Sequence, residues 1–205
     1  MKILVTTCER YRYLIPDFLE LFSKFWANPP QLVIDVAQKG ESWTAQMIRV
    51  LSDMKDDHVL RLCEDFYMYR PVDAEALAHA TALAGDYFRI GLQGRFEGYL
   101  DCSSLAPDGL YTLAPEAEYL CSLEASIFDR KQLLEALKAA GDMNIWEFEM
   151  FGSEYARKEG WKVAVTPDRV ISYKDATRRG EQRIKKVDGQ FLLLAPGDVW
   201  VPLFE

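Results

Sequence analysis

Residues that bind transition metals or form cross-links are scarce in this chain. It contains two histidines, His58 and His79, and its four cysteines form no C-x-x-C pair. Zinc sites draw on clustered Cys and His side chains, so this scarcity argues against a zinc centre. The cysteines are widely spaced, and we expect free thiols in a reducing compartment. They are Cys8, Cys63, Cys102 and Cys121.

Positive charge and long apolar runs are scarce as well. The 24 Lys and Arg residues are outnumbered by 32 Asp and Glu residues, and the formal net charge is −8. This excess of acid argues against general nucleic-acid binding, because phosphates need cations. No apolar run approaches the ~20 residues of a membrane span, and the N-terminus turns polar too soon for a secretory signal. We therefore expect no nucleic-acid partner, no membrane span and a cytoplasmic location.

The first 92 residues carry the pattern of an α/β fold. Short apolar runs alternate with amphipathic helical segments, which predicts the order β-α-β-α-β-α-β and a mostly parallel sheet flanked by helices. Ser42 and Asp73 are predicted helix N-caps, and Gly85 is a predicted helix terminus. The predicted strands lie at 3–7, 31–37, around 59–62 and at 87–92. The length of the chain favours a single domain.

The second part of the chain is less regular. Residues 93–118 lack clear periodicity and suggest an insertion over the functional site. A strand is predicted at 119–126, helices at 129–140 and 144–159, and strands at 161–165 and 170–173. Two final apolar pieces, 191–195 and 199–201, are separated by Pro196-Gly197. They fit either an edge hairpin or the contact between the subunits of a homodimer.

Two adjacent carboxylates end the apolar run around Leu60 and Leu62. Glu64 and Asp65 follow this predicted interior strand directly, and Phe66, Tyr67 and Met68 resume the apolar character. Neighbouring acids at a strand end are costly, since like charges repel and burial desolvates them. Ligands bind at the carboxyl ends of strands in open α/β sheets. The pair therefore indicates a site for a cation, a phosphate–cation pair or a sugar hydroxyl. The alternative is a solvated turn.

A second acidic group alternates with aromatic side chains in Trp146-Glu147-Phe148-Glu149. Glu147 lies three residues after Asn144, which fits a helix capping box. Glu149 has no such role. A carboxylate beside an indole suits a sugar, because the ring packs on the pyranose and the acid accepts a hydroxyl proton. The alternative is that the two aromatic side chains pack in the core and the acids are exposed.

Taken together, these motifs resemble small bacterial glycosyltransferases of the GT-A type over residues 1 to about 180. The resemblance is carried by four segments in order: Thr6-Thr7-Cys8-Glu9 after the first strand, Ser42-Trp43 at a helix start, Leu62-Cys63-Glu64-Asp65-Phe66-Tyr67-Met68, and Ile145-Trp146-Glu147-Phe148-Glu149-Met150-Phe151-Gly152-Ser153. It implies a Rossmann-like single domain. Within it, 1–92 would be the nucleotide-binding half, 93–180 the acceptor half and 181–205 a C-terminal tail.

The resemblance also implies roles for individual residues. Glu64 and Asp65 take the place of the D-x-D motif, which holds Mn²⁺ or Mg²⁺ on the donor diphosphate. Glu149, or failing that Glu147, takes the place of the general base of an inverting transfer, with Trp146 in the acceptor site. The remaining donor-site residues implied by the family are Thr7, Glu9, Asp35, Ser42 and Trp43. The partners would be a nucleotide sugar and a carbohydrate or other hydroxyl acceptor, as in polysaccharide synthesis.

This sequence departs from the family pattern in its metal motif. Its acids read Glu-Asp-Phe and not Asp-x-Asp, and no histidine follows His79 to complete a metal site. Tyr173 and Asp175 are the nearest polar residues in that part of the chain. The departing diphosphate would then be stabilised by cations, for which the candidates are Arg178, Arg179, Arg183 and Lys185. Two alternatives stay open, a sugar nucleotidyltransferase and a non-catalytic carbohydrate-binding protein. The turn after the first strand lacks the glycines typical of the former.

Overall fold

The fold is built around an eight-stranded sheet in a computed structural model that describes residues 1–95, 103–178, 180–196 and 199–204. The strands are β1 Lys2–Thr7, β2 Leu32–Val36, β3 His58–Cys63, β4 Phe66–Met68, β5 Arg89–Gly91, β6 Ser103–Leu105, β7 Tyr111–Leu113, β8 Ser126–Asp129, β9 Val163–Val165, β10 Tyr173–Asp175, β11 Thr177–Arg178, β12 Glu181–Gln182, β13 Ile184–Val187, β14 Gln190–Ala195 and β15 Val199–Pro202. The helices are α1 Ile15–Phe25, α2 Trp43–Asp53, α3 Ala74–Leu83, α4 Arg130–Ala140 and α5 Ile145–Lys158, with 3-10 turns at Arg12–Leu14 and Ala84–Asp86.

The central sheet is mixed, with most strands running in one direction. Its order is β2-β1-β3-β8-β5-β9-β7-β6. The pairs β1–β2, β1–β3 and β5–β9 are parallel. Strand β8 is antiparallel to both β3 and β5, and β7 is antiparallel to both β9 and β6. All strands except β7 and β8 therefore share a direction, which confirms the predicted single-domain, mostly parallel α/β architecture.

Two apolar layers cover the two faces of this sheet. One layer includes Phe18 and Leu21 of α1 and Leu77 of α3. The other includes Met47 of α2 and Phe148 of α5, together with residues of α4. Because alternate residues of a strand point to opposite faces, Leu60 enters the first layer and Val59 the second.

The N-terminal half follows the predicted element order with one correction. The side chains of Ser42 and Asp73 cap α2 and α3, accepting hydrogen bonds from the backbone N–H groups of Ala45 and Ala76. The predicted terminus at Gly85 is wrong. Helix α3 ends at Leu83 and continues as a 3-10 turn that contains Gly85, so no left-handed glycine is needed there.

The predicted strand at 119–126 is also wrong, because the strand begins only at Ser126. Residues such as Cys121 and Leu123 are buried, which explains their apolar character. In a strand, however, the backbone N–H groups would bond to a neighbouring strand, and here two of them donate to side chains. The Cys121 N–H donates to the hydroxyl of Ser153, and the Leu123 N–H donates to the carboxylate of Glu149. A run of buried residues therefore stays in an irregular conformation.

The predicted strand at 170–173 is shifted toward the C-terminus. Strand β10 covers Tyr173–Asp175 and pairs antiparallel with β4. Val170 and Ile171 are buried without joining a ladder, and the Val170 N–H donates to the Leu92 carbonyl. The last part of the chain forms the three-stranded sheet β13-β14-β15. Of the two alternatives for the final apolar pieces, the hairpin is therefore present as β14–β15.

The described parts of segment 93–118 extend the central sheet. Strands β6 and β7 pair with each other and β7 adds to β9. Residues 96–102 of this predicted insertion, among them Cys102, lie outside the described residues. Cys8, Cys63 and Cys121 are free thiols, as expected. None of the described helices is long and apolar enough to cross a membrane.

Candidate functional site

Glu64 and Asp65 form the turn between β3 and β4, at the carboxyl ends of the parallel strands. Strand β3 ends at Cys63, and its neighbour β1 ends at Thr7 on the same edge of the sheet. Both acids are half-buried. The sequence placed them correctly at a strand end because the apolar run stops at Cys63. This edge is where open α/β sheets bind ligands.

Each of these two carboxylates accepts a hydrogen bond from a threonine in a different part of the chain. The Thr7 hydroxyl donates to Glu64 over 3.0 Å, and the Thr177 hydroxyl donates to Asp65 over 3.0 Å. In addition, the Ala176 N–H donates to the Asp65 carbonyl. The turn is thus fixed by β1 on one side and by the β10–β11 segment on the other.

Both acids hold their protons more tightly than free carboxylic acids do. Burial raises the pKa of Glu64 to about 7, and the nearby charge of Asp65 adds to the effect. Burial raises the pKa of Asp65 to about 6, and Asp175 adds to it. Burial also raises the pKa of Asp175 itself. Bound cations would relieve this repulsion, since an opposite charge favours the ionised form.

Arg61 lies beneath this turn and was missed in the sequence. Its side chain is 1% exposed, and it donates to the Leu123 carbonyl and, over 3.1 Å, to the Cys63 sulfur. Its charge lowers the pKa of both Glu64 and Asp65, against the larger effect of burial. The signal was available, because a lone arginine interrupts the apolar run from Val59 to Leu62.

Glu149 approaches the same edge from helix α5. Its Oε1 accepts a hydrogen bond from the Leu123 N–H over 2.6 Å, while Arg61 holds the carbonyl of the same residue. Glu149 and Arg61 therefore bind both backbone groups of Leu123. In contrast, Glu147 is exposed and forms the predicted capping box, accepting from the Asn144 N–H over 2.9 Å. Capping of the α5 N-terminus therefore accounts for the hydrogen bond of Glu147, and no ligand is needed to explain it.

The aromatic side chains of this segment divide between core and solvent. Phe148 is fully buried, as the core alternative expected, whereas Trp146 is 68% exposed. Trp146 and Glu149 are three residues apart on α5, and side chains at this spacing are neighbours on a helix surface. The exposed indole is therefore available to an external ligand.

Glu124 connects the two acidic segments and was not identified from the sequence. Burial raises its pKa; Arg89 opposes this, and the charges of Glu149 and Asp175 add to it. The charge of Asp175 also raises the pKa of Asp65. Electrostatic interactions therefore connect these carboxylates, one to the next, along one edge of the sheet. We call this group the acidic edge, and its members are Glu64, Asp65, Asp175, Glu124 and Glu149.

Asp35 and Glu9 are not members of the acidic edge. Asp35 is held by side chains of α2, and Glu9 is exposed. Asp35 lies in β2, where Arg49 donates to both of its oxygens over 3.0 and 2.8 Å and Gln46 donates over 2.9 Å. Glu9 has a side chain that is 79% exposed and lies 3.6 Å from Arg12. For Asp35, attachment of α2 to β2 accounts for these contacts without a nucleotide.

Ser42 and Trp43 lie at the N-terminus of α2. The Ser42 hydroxyl caps the helix and donates to Asp142 over 2.8 Å. The Trp43 ring packs 5.4 Å from Phe148, with the Arg61 guanidinium 5.7 Å from its centroid. The Trp43 Nε1 is buried and has no hydrogen-bond partner within the described part of the chain. Trp43 therefore lies close to the residues that hold Leu123.

The donor set of the acidic edge suits a hard divalent cation only in part. Glu64 and Asp65 offer adjacent, partly desolvated oxygens, which Mn²⁺ and Mg²⁺ prefer. Over the described ranges, however, no three His, Cys, Asp or Glu side chains are grouped so as to hold a metal. The two carboxylates fit a cation that takes its remaining ligands from phosphate or water.

The candidate site does not coincide with either of two cavities in the structure. A cavity of about 410 Å³ lies between α1 and β14, lined by residues that include Glu20, Lys24 and Phe191. A second, of about 210 Å³, includes His79 and Arg169. Neither contains a member of the acidic edge. The carboxylates at the strand ends, and not cavity volume, define the candidate site.

Solved structures share this architecture. The chain superimposes on S. aureus TarS 1–349 with a TM-score of 0.53 and 12% identity, covering 86% of this chain and 61% of that one. The fold is GT-A-like. TarS 1–349 in complex with UDP-GlcNAc also gives 0.53, at 14% identity, covering 89% of this chain and 60% of that one. This chain thus spans about 60% of the TarS fragment.

A nucleotide-binding synthetase gives a weaker superposition. CMP:2-keto-3-deoxy-manno-octonic acid synthetase complexed with CTP gives a TM-score of 0.49 and 13% identity, covering 85% of this chain and 93% of that one. Neither a protein-family model nor a curated protein matches the sequence. At these identities, the similarity to TarS establishes the GT-A-like fold and leaves function to the residues themselves.

Proposed function

We propose that this chain is a glycosyltransferase that moves a sugar, of the hexose type, from a nucleotide-sugar donor to a hydroxyl acceptor. The observation that carries the proposal is the acidic edge itself. Half-buried carboxylates from the turn after β3, from α5 and from the segment before β8 are linked by charge interactions, through Asp175, at the carboxyl edge of a GT-A-like sheet. Burying like charges is unfavourable. A bound cation and hydrogen bonds from sugar hydroxyls would offset this unfavourable energy.

The donor would bind on the side of Glu64 and Asp65. These residues would hold Mn²⁺ or Mg²⁺, a cation that would neutralise charge on the donor diphosphate. Thr7 orients the Glu64 carboxylate through its hydrogen bond. Ser42 and Trp43, at the N-terminus of α2, would also line the donor site. In this proposal 1–92 is the donor half and 93–180 the acceptor half, with 181–205 as the C-terminal part.

Cations near the acidic edge would help the diphosphate to leave. Arg178 lies close enough to Asp175 to lower its pKa. By contrast, Lys185 packs 4.0 Å from the ring centroid of Trp200 in the C-terminal sheet. We therefore assign this role to Arg178 and not to Lys185, and Arg179 lies outside the described residues.

The acceptor would bind on the α5 side. The exposed Trp146 offers an apolar surface for a sugar ring. In an inverting transfer, the acceptor oxygen forms a bond to the anomeric carbon as the bond from that carbon to the diphosphate oxygen breaks. The acceptor proton passes to a carboxylate of the acidic edge. We place this reaction in the cytoplasm, in synthesis of a surface polysaccharide.

Calorimetry with a panel of nucleotide sugars tests this proposal. The panel contains UDP-, GDP-, CMP- and dTDP-sugars, each with and without Mn²⁺, and UDP-GlcNAc is the first choice because TarS is known in complex with it. We expect one donor to bind more tightly with Mn²⁺ present. Asp65→Asn should remove the Mn²⁺ effect, and the exposed Glu116→Gln should keep it. Absence of binding across the whole panel would contradict the proposal.

Two turnover assays, pyrophosphate release and sugar transfer from the donor that binds, separate the alternatives. A sugar nucleotidyltransferase would release pyrophosphate from a nucleoside triphosphate and a sugar phosphate. A non-catalytic protein would bind the sugar ligand without any turnover in the wild-type chain. Neither outcome is expected, because the turn after β1 lacks the glycines of the first alternative and the acidic edge retains several ionisable groups.

A further inference from the structure

We propose that Glu124, and not Glu149 or Glu147, is the catalytic residue that takes the proton from the incoming acceptor hydroxyl. This assignment rests on the proposed glycosyltransferase function and names the base for it. Three features of the molecule favour Glu124: its position in the sheet, the hydrogen bonds that other carboxylates already accept, and the fixed backbone on each side of it.

Glu124 lies at the point where β8 enters the sheet between β3 and β5. Ser126 pairs with Arg61 of β3 and with Gly91 of β5. The Leu92 N–H donates to the Ala125 carbonyl over 2.9 Å. Glu124 therefore comes two residues before the first paired residue of β8, at the carboxyl ends of the parallel strands β3 and β5. This is the part of an α/β sheet that faces a bound ligand.

Apart from Asp175, the other candidate bases accept hydrogen bonds from groups of the protein itself. Asp175 is exposed in β10, and the nearby charges of Arg178 and Lys174 act to lower its pKa. Glu149 accepts from the Leu123 N–H, and Glu147 closes the capping box of α5. Glu64 and Asp65 accept from threonine hydroxyls. The half-buried Glu124 carboxylate has no hydrogen-bond partner among the described residues. A general base needs an oxygen within hydrogen-bond reach of the substrate proton, and Glu124 has both oxygens available.

The backbone on each side of Glu124 is fixed. Arg61 and Glu149 bind the carbonyl and the N–H of Leu123, and the Glu124 N–H lies 3.4 Å from the Ser122 hydroxyl. A fixed backbone matters for such a base, because a small misplacement of a reacting group lowers the reaction rate strongly. Glu149 is then a positioning residue that acts through Leu123.

The charges around Glu124 suit a group that gains and loses a proton. Burial raises its pKa, Arg89 and Arg169 oppose this, and Glu149 and Asp175 add to it. Tyr173 of β10 lies close enough for Glu124 to raise its pKa in turn. A carboxylate with a raised pKa is a stronger base than a free one.

The reaction balances with Glu124 as base. The acceptor oxygen bonds to the anomeric carbon, the bond from that carbon to the diphosphate breaks, and its electron pair leaves on the nucleoside diphosphate. The acceptor proton moves to the Glu124 carboxylate and then to solvent. With water as acceptor the same steps give donor hydrolysis, so the assignment can be tested before the natural acceptor is known.

The experiment measures hydrolysis of the donor that binds in the calorimetric panel, for Glu124→Gln, Glu149→Gln and the exposed control Glu116→Gln. Removal of a general base lowers rates by about 100-fold or more, so we expect this loss in kcat for Glu124→Gln. The glutamine in Glu149→Gln still accepts from the Leu123 N–H, so a loss below about 10-fold is expected there. Donor Kd from calorimetry should be unchanged in all three.

The pH profile gives a second readout that a structural role would not change. In the wild-type chain kcat should rise with pH as Glu124 ionises, and Glu124→Gln should lose this rise. If Glu124→Gln keeps wild-type kcat and profile while Glu149→Gln loses them, the assignment is wrong and the proposed function stands. Donor binding without any wild-type turnover would overturn the assignment as well. Absence of donor binding would overturn the proposed function itself.

Discussion

Glu64 and Asp65 make the stability of the protein depend on pH. Their pKa values in the folded protein, about 7 and about 6, exceed the ordinary values of 4.5 and 3.8. Between about pH 4 and pH 7 the folded state therefore binds more protons than the unfolded state. Stability falls as pH rises through this range, because the unfolded acids ionise first.

Glu64→Gln and Asp65→Asn should therefore stabilise the protein at pH 8 and have little effect at pH 4. Each amide keeps an oxygen that accepts the threonine hydrogen bond, so the loss of charge is the main change. We expect a gain of about 1–2 kcal/mol per variant at pH 8, allowing for partial solvent access. Urea unfolding at both pH values measures it.

Glu116→Gln is the matched control for this prediction, since Glu116 is exposed. It should leave the pH dependence as in the wild type. Equal stability of the Glu64 and Asp65 variants and the wild type at pH 8 would show that the turn is well solvated, which was the alternative for this pair.

Helix α2 is attached to β2 through Arg49 and Gln46, both of which donate hydrogen bonds to Asp35. Arg49 binds Asp35 through two hydrogen bonds and Glu41 through two more, at 2.8 to 3.0 Å. These partners raise the pKa of Arg49 further, so it stays charged. The family resemblance implied a place for Asp35 in the donor site, and in the structure its hydrogen bonds join two elements.

Asp35→Asn and Arg49→Met separate these two roles. Hydrogen bonds between charged groups contribute about 1.5–3 kcal/mol, and partial exposure reduces this, so both variants should lose about 1–2 kcal/mol in urea unfolding. Donor affinity measured by calorimetry should change equally in both. A much larger loss of affinity in Asp35→Asn alone would show that its carboxylate contacts the nucleotide.

The C-terminal sheet is part of the main core, although the family resemblance implied a C-terminal tail and the sequence itself an edge hairpin or a dimer contact. Phe191 of β14 is 3% exposed and lies in the same apolar cluster as Ile184 and Leu203. Its ring meets that of Tyr67 at 5.9 Å in a T-shaped contact. Because Tyr67 belongs to β4, directly after Asp65, the sheet supports the strand that carries one end of the acidic edge.

Phe191→Ala should therefore destabilise the whole molecule. A buried phenylalanine replaced by alanine costs about 3–5 kcal/mol. The exposed Val187→Ala, in the neighbouring strand β13, is the control and should cost less than about 1 kcal/mol. Urea unfolding followed by tryptophan fluorescence and by circular dichroism should show one coincident transition. Two separate transitions would show that the C-terminal sheet folds independently of the core.

Local patterns in the sequence determined the α/β class, the order of the first elements, the helix caps and the position of Glu64 and Asp65. These features depend on apolar periodicity and on residues close together in the chain. The capping box of Asn144 and Glu147 is of the same kind. Such interactions are local, so a single sequence is sufficient to predict them.

Only the tertiary structure decided which acids meet. Leu123 remains irregular because Arg61 and Glu149, from β3 and α5, bind its backbone. This contact places Glu124 at the strand ends, and no local pattern predicts it because the partners lie 62 and 26 residues away along the chain. The antiparallel entry of β8 between β3 and β5 is also a matter of long-range pairing. Local propensity fixed the elements, whereas non-local packing fixed the site.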